Sequence, residues 1–562
     1  MISRRGFVAT LGSSVALVGC GRHTLVNANL AAHGDVTIYR NGRIWTGMPN
    51  VPWTDALAVA GDRIVALGQS ALAGRSSRIV DLQGALVVPG FIDNHAHFTI
   101  GSMMLTQVDL QIVRTPQEFI AAIGAAARKL PPGKWLEGFG WDAERWGGEL
   151  PSRQWVDAAT GDTPISLSRS DGHSKFLNSA ALRLAGIDRN TPDPAGGKIL
   201  RDAKGEPTGI LRDNALALVD RVVPPASDAE IDAAVKLGIA RGLSRGVTQV
   251  HGCDLDWSAF DAFRRLRAKG ETGLRFNSYV PAQDWERMAE IVRSEGRGDD
   301  WVRWGGVKAY VDGSLGSRTA FMDAPYADDP HNHGLIRQPR EKLEEWIAGA
   351  DAAGLQVASH AIGTAANELA LDIYAAVAAR NGARDRRFRI EHAQHLDARS
   401  IPRFKAQGVI ASMQPYHAID DGRWAERPLG ADRLEGSWAF RSLIDAGATV
   451  TFGSDWPVAP LDPLTGIEAA VLRRTTDGKY PDGFVPSQKV SVAEALTAYT
   501  AANAFAGFQD DRLGTIRPGN LADFVVLADN VLTIDPTKIA KTEVLRTVVG
   551  GIERFTSASA SA

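Results

Sequence analysis

At 562 residues the chain has room for two to four domains, and 44% hydrophobic with 23% charged residues is the balance of a folded globular protein. A formal net charge of −3 gives no footing for nucleic-acid binding, which needs a basic stripe or patch. The two cysteines, Cys20 and Cys253, exclude a disulfide framework.

In chain order, Ser3-Arg4-Arg5-Gly6-Phe7-Val8 precedes a weakly apolar run from Ala9 to Val18, too short to span a bilayer. A twin arginine before such a run is similar to a bacterial twin-arginine export signal. Leu17-Val18-Gly19-Cys20 is similar to a lipobox, in which Cys20 would be acylated and anchor the mature chain. Residues 1–34 are therefore expected to be an export signal and linker, and the protein to be periplasmic or held on a membrane as a lipoprotein.

Residues 35–88 read as short strands with turn punctuation: Val36-Thr37-Ile38-Tyr39, the hairpin signal Asn41-Gly42, Ile64 to Leu67, and Arg78-Ile79-Val80. Residues 510–556 mirror them, with Phe524-Val525-Val526-Leu527 and Val544 to Val549. Neither segment makes a convincing core alone, so the expectation is one small β-sandwich assembled from both.

Between them, residues 89–509 open on Phe91-Ile92-Asp93-Asn94-His95-Ala96-His97, after the apolar run Ala85-Leu86-Val87-Val88 and the break Pro89-Gly90. The apolar run reads as a buried strand. Along a strand, residues i and i+2 share a face, so His95 and His97 aim two imidazoles at one point, as a divalent metal requires. A His-x-His alone is more often a pair of structural histidines. The next apolar runs are Gly246 to His251, Leu274 to Val280, Gly305 to Val311, Leu355 to His360, Phe388 to His392, Gly408 to Met413 and Ala448 to Asp455. With the first they make eight strands alternating with helix-period segments, which is an α/β (β/α)8 TIM-type barrel. A doubly wound sheet is the alternative, but no glycine-rich phosphate fingerprint follows an early strand.

Strands one and two are about 140 residues apart, far beyond a βα connection. An inserted subdomain at about 100–240 is expected there, placed over the barrel mouth. It contains four of the 14 tryptophans, Trp135, Trp141, Trp146 and Trp155, a cluster more typical of a core than of a pocket. His95, His97, Lys308, His360, His392 and Asp455 all close predicted strands, and C-terminal strand ends in such a barrel converge on one rim. Each has a dull explanation alone; their joint placement does not.

Pro89 to His97, Ser359-His360-Ala361-Ile362-Gly363, Glu391-His392-Ala393-Gln394 and Gly453-Ser454-Asp455-Trp456-Pro457-Val458 together resemble the metal-dependent amidohydrolase superfamily. The likeness is to amidohydrolase family 3, in the branch related to N-substituted formamide deformylases. Asp171-Gly172-His173-Ser174, Val307-Lys308 and Asp312 to Arg318 match that branch too. The resemblance implies that His95, His97 and Asp455 bind the more buried metal. His360 and His392 would bind a second, and Lys308 would bridge the two as a CO2-derived carbamate. The plainer reading of Lys308 is an ion-paired lysine beside one metal.

A zinc-type ion lowers the pKa of bound water to about 7. The expected reaction is hydrolysis of an amide or N-substituted formamide C–N bond by that metal-activated hydroxide. Asp455 would act as general base and then acid, and His173 or the second metal would polarise the carbonyl. Asp171, His173, Arg318 and Trp141 are the candidate substrate contacts, although a salt bridge or loop-ordering role fits Asp171 and Arg318 as well. His251, His395 and His417 read as structural or supporting residues, and His331 and His333 as exposed loop residues. Heterocycle deamination or cyclic-amide opening keeps the same site, and a non-catalytic surface lipoprotein is the rival from another class. The expected partners are a small-molecule amide and, for the lipoprotein, a membrane; a homodimer is the expected assembly, and nucleic acid is excluded.

Overall fold

The computed structural model describes residues 35–73, 78–170 and 173–561. The twin-arginine segment, Cys20 and Asp171 lie outside the described residues. Eight parallel strands form a barrel-type sheet: β1 (Phe91–Ala96), β2 (Val247–Gly252), β3 (Arg275–Pro281), β4 (Val302–Tyr310), β5 (Gln356–Ala361), β6 (Arg389–His392), β7 (Ile410–Met413) and β8 (Val450–Phe452), hydrogen-bonded in chain order. The whole of β1, β2 and β3 is buried, as parallel strands covered by helices on one side and packed into a barrel interior on the other must be. Closure comes from the stretch after β8: the Asp455 N–H donates to the His95 carbonyl at 2.7 Å and the His97 N–H to the Trp456 carbonyl at 2.8 Å.

The terminal segments meet in one eight-stranded sheet. Its central strand Leu86–Pro89 pairs antiparallel with Phe524–Leu527, so residues more than 400 apart in sequence share a ladder. The apolar run before the histidines therefore belongs to this terminal sheet, and Phe91–Ala96 is the barrel strand. The chain crosses between the two at Gly90, where a Cβ would lie 2.3 Å from Thr248 Oγ1, so no larger residue fits.

Between β1 and β2 the chain builds a six-stranded sheet, ordered Gly197–Arg201, Pro207–Asp213, Ser174–Leu177, Ile165–Arg169, Leu136–Trp141 and Val108–Asp109. Trp141 is a core residue of this layer. It is fully buried, packs edge-on against Phe176 and Phe119, and donates its Nε1–H to the Leu167 carbonyl at 2.8 Å. That corrects its assignment as a substrate contact: an indole enclosed on all sides has no face left for a ligand. No helix among the described residues is long and apolar enough to cross a membrane.

Candidate metal centre

Only one of the paired histidines lies in a strand. His95 is the fifth residue of β1, while His97 follows the strand end and is the N-cap of the seven-residue helix α1 (Phe98–Met104). Strand alternation therefore accounts for His95 alone, and the turn into α1 swings His97 back to the same place. Asp455 is likewise beyond its strand, three residues past Phe452, in the left-handed region at φ 60°. These two loop residues meet: His97 Nε2 is 3.2 Å and His95 Nε2 3.5 Å from Asp455 Oδ1.

His392 ends β6 at φ 74° and sits against both neighbours, its ring centroid 4.9 Å from that of His95 and 4.5 Å from that of His360. His392 donates its Nδ1–H to Gln414 Oε1 at 2.8 Å, which leaves Nε2 for an ion. His360 donates Nε2–H to the Gly313 carbonyl at 2.9 Å and keeps Nδ1 free. Lys308, 2% exposed at the end of β4, donates from Nζ to His95 Nε2 at 3.3 Å and lies 4.8 Å over the Tyr310 ring. The six ligand candidates read from sequence are thus gathered on one rim.

Beneath them is a buried network in which the sequence suggested a supporting role for His251 alone. His95 donates its Nδ1–H to Glu391 Oε2 at 2.5 Å. Arg389, two residues earlier on the same face of β6, holds Glu391 through Nε at 2.7 Å and Nη2 at 3.0 Å. Ser412 donates to Glu391 at 2.6 Å, and Arg389 also donates to His251 Nδ1 at 2.9 Å and to Tyr279 at 2.8 Å. Burial opposes the Glu391 charge, but Arg389, His95 and Lys308 outweigh it and hold the carboxyl well below its usual range. A carboxylate on Nδ1 fixes the His95 tautomer with its Nε2 lone pair facing the rim, as carboxylates commonly do for metal-binding histidines. Arg389 and Glu391 at i and i+2 of β6 were the available sequence signal: opposite charges on one barrel face that pair in the interior.

Asp312, fully buried just after β4, was also missed. Its oxygens accept the N–H groups of Ile362 at 3.0 Å, Gly363 at 2.8 Å and Phe321 at 2.9 Å, fixing the turn after His360. Burial pushes its carboxyl up to about 7 despite those bonds.

The donor set fits a divalent cation. Ligand atoms of His95, His97 and Asp455 lie within 4.8 Å of one another, as do those of His392, His417 and Asp455 and those of His95, Cys253 and Glu391. Asp455 Oδ1 is buried without a hydrogen-bond partner, a cost that a cation removes. Burial alone would raise the Asp455 carboxyl, yet His95, His97 and His392 hold it well below the usual range. Burial and the nearby Lys308 charge push His95 down to about 4, so it is a neutral ligand at neutral pH. His417, expected to be a supporting residue, has its Nε2 at 3.8 Å from Asp455 Oδ2, closer to the centre than the sequence suggested.

Two other sequence candidates bond to residues outside this cluster. Arg318 forms a two-point pair with Asp328 at 3.0 and 2.6 Å and donates to the Leu315 and Gly316 carbonyls at 3.1 Å. It orders its own loop, the role the sequence offered for it beside substrate contact. His173 is on the insert, its side chain 77% exposed and 3.1 Å from Asp213.

A sequence model described as the amidohydrolase family matches residues 78–553. The protein LONG AFTER FAR-RED 3 of Arabidopsis thaliana is 40% identical over 531 residues, covering 92% of this chain and 91% of its own. An N-substituted formamide deformylase of Arthrobacter pascens is 28% identical over 527 residues, covering 89% and 94%. The crystal structure of a metal-dependent hydrolase from Pyrococcus furiosus superposes with a TM-score of 0.75 at 28% identity, over 89% of this chain and 100% of that one.

Proposed function

We propose, because the chain belongs to the amidohydrolase family and is a hydrolase, that the bond it cleaves is the C–N bond of a non-peptide amide or N-substituted formamide. The observation that carries this is the meeting of His95, His97 and Asp455 at one point, with Glu391 fixing the first imidazole from below. Similarity to a formamide deformylase along most of both chains supports the substrate class.

His95, His97 and Asp455 would hold one divalent ion, zinc being the expected metal, and His360, His392 and Lys308 a second. A bound ion supplies Lewis acidity that polarises a carbonyl oxygen and acidifies water. Asp455, ionised at neutral pH, takes the proton as the water oxygen attacks the carbonyl carbon. The same carboxyl then returns the proton to the amine nitrogen as the C–N bond breaks, so the products are a carboxylic acid and an amine. Neutral imidazoles at His95, His360 and His392 keep the rim from repelling the ions. The Lys308 ammonium would lose two protons in bonding its Nζ to CO2, and the resulting carbamate would replace a cation with an anion beside His95.

The test is elemental analysis of the purified chain together with turnover of amide and formamide panels. One or two ions per chain, lost with activity in His95→Ala, is the expected result; full metal occupancy in that variant would overturn the ligand assignment. Export through the twin-arginine route and lipidation at Cys20 complete the proposal. Arg4→Lys with Arg5→Lys should keep the chain in the cytoplasm, and Cys20→Ser should release it from the membrane fraction.

A further inference from the structure

Beside the centre, a cavity of about 310 Å³ lies between α1, the segment after β2 and the helix α2 (Asp228–Leu243). Its depth is set by Thr99, two residues after His97, and by Asp254, two residues after the end of β2. Apolar side chains line the rest, among them Ile100, Met104, Ile231 and Leu255, with Ile100 and Leu255 exposed at 39% and 56%. The volume is at the lower end of small-molecule sites.

Two polar atoms in this lining have no partner. Asp254 is 4% exposed; its Oδ1 accepts the Thr99 N–H at 3.0 Å, but its Oδ2 accepts nothing. Thr99 is 6% exposed, and its Oγ1 makes no hydrogen bond. Capping the start of α1 explains one Asp254 oxygen and leaves the other unexplained. A buried carboxylate oxygen without a donor is costly, and an occupant of the cavity that carries N–H groups supplies one. An anion is repelled here and a neutral apolar molecule leaves both atoms orphaned, whereas an ammonium donates to Asp254 Oδ2 and to Thr99 Oγ1 together.

We infer that this cavity is a subsite for a primary or secondary ammonium carried on an apolar body, with Asp254 and Thr99 receiving its N–H groups and Ile100, Met104 and Leu255 its hydrocarbon. Two sources share that chemistry: an ammonium-bearing arm of an amide substrate, or the amine released by cleavage. Either deepens the proposed hydrolysis, but occupancy of the subsite does not require turnover.

Calorimetric titration of the metal-loaded full chain with n-pentylammonium and with n-pentanol tests it. The ammonium should bind one per chain and at least tenfold more tightly than the alcohol. Asp254→Asn keeps an acceptor for the Thr99 N–H but can turn an amide N–H toward the ligand, and should abolish that preference with metal content unchanged. Thr99→Val, nearly isosteric, should weaken ammonium binding severalfold and carries the test if Asp254→Asn folds poorly. Equal binding of amine and alcohol, or a preference that survives both substitutions, would overturn the subsite. Product inhibition by pentylammonium that Asp254→Asn relieves would mark the released amine as the source. A rise in KM confined to amides with a remote ammonium would mark the substrate arm. Failure to hydrolyse any amide would remove the proposed reaction and leave the binding result standing.

Discussion

At the scale of single residues, the centre depends on which nitrogen each histidine leaves free and on what Lys308 is chemically. As an ammonium, Lys308 donates to His95 Nε2, the lone pair that Glu391 has oriented toward the rim, so lysine and ion compete for one nitrogen. At such separations in a partly desolvated site, repulsion between an ammonium and a dication is large. A carbamate removes the conflict. Lys308→Glu should therefore retain more metal and activity than Lys308→Ala, which should lower metal affinity by roughly tenfold or more. Wild type reconstituted from metal-free protein should gain activity with bicarbonate. Equal metal content in the two variants, with no bicarbonate effect, would leave Lys308 an ordinary lysine.

His395 gives a pH prediction away from the ligands. It is 2% exposed, 3.0 Å from Ser437 Oγ and 3.2 Å from Gln394 Nε2. Burial, with Arg433 adding to it, pushes its pKa down to about 3. The folded state therefore resists a proton that the unfolded chain binds near the ordinary histidine value of 6.5. Stability from this group is complete above that value and is lost as pH falls toward the folded pKa, at up to about 1.4 kcal/mol per pH unit. Urea titrations of wild type and His395→Gln between pH 7 and 4 check it: the variant's stability should fall less steeply, and parallel curves would refute the account.

At the scale of elements, α1 is a seven-residue helix held at one end by His97 and pressed along its side against Trp456. Gly101 makes that approach possible, since a Cβ there would lie 2.6 Å from the indole ring. Alanine gains about 1 kcal/mol of helix propensity over glycine, while forcing atoms into a packed contact costs about 1–3 kcal/mol. Trp456 is buried and adjoins Asp455, so it cannot give way without moving the carboxylate. Gly101→Ala should lower stability by about 1 kcal/mol and reduce kcat more than KM, measured by urea denaturation and steady-state kinetics. A stabilised, fully active variant would show that the helix, and not the centre, absorbs the strain.

At the scale of the whole molecule, the terminal sheet and the barrel are tied by a buried pair. Arg275 at the start of β3 meets Asp523 through Nε at 2.6 Å and Nη2 at 2.9 Å, and Asp523 also accepts the Gly550 N–H at 2.8 Å. Such a pair adds little over apolar packing, but removing one partner strands a buried charge at about 3–5 kcal/mol. Asp523→Ala should lose stability in that range and speed amide exchange in the strands Phe524–Leu527 and Val544–Val549 before the barrel. Uniform exchange across both sheets would show that the pair is not what joins them.

From the sequence alone, seven of the eight barrel strands were placed within a few residues of their observed bounds, and the six candidate ligands on one rim. Both were legible because apolar runs report burial locally, and because strand ends in a parallel barrel must share a face. Periodicity could not say which sheet the run Ala85 to Val88 joins, since a buried strand looks alike in either, and only its ladder with Phe524–Leu527 decides. Nor could it show that Trp141 faces a core, that Arg318 is spent on Asp328, or that His97 and Asp455 act from turns beyond their strands. The Arg389–Glu391–His95 chain and the unpaired acceptors at Asp254 and Thr99 likewise exist only once distant segments pack. Hydrogen bonding and burial of side chains are pairwise properties of the folded chain, while strand patterning is a property of each segment by itself.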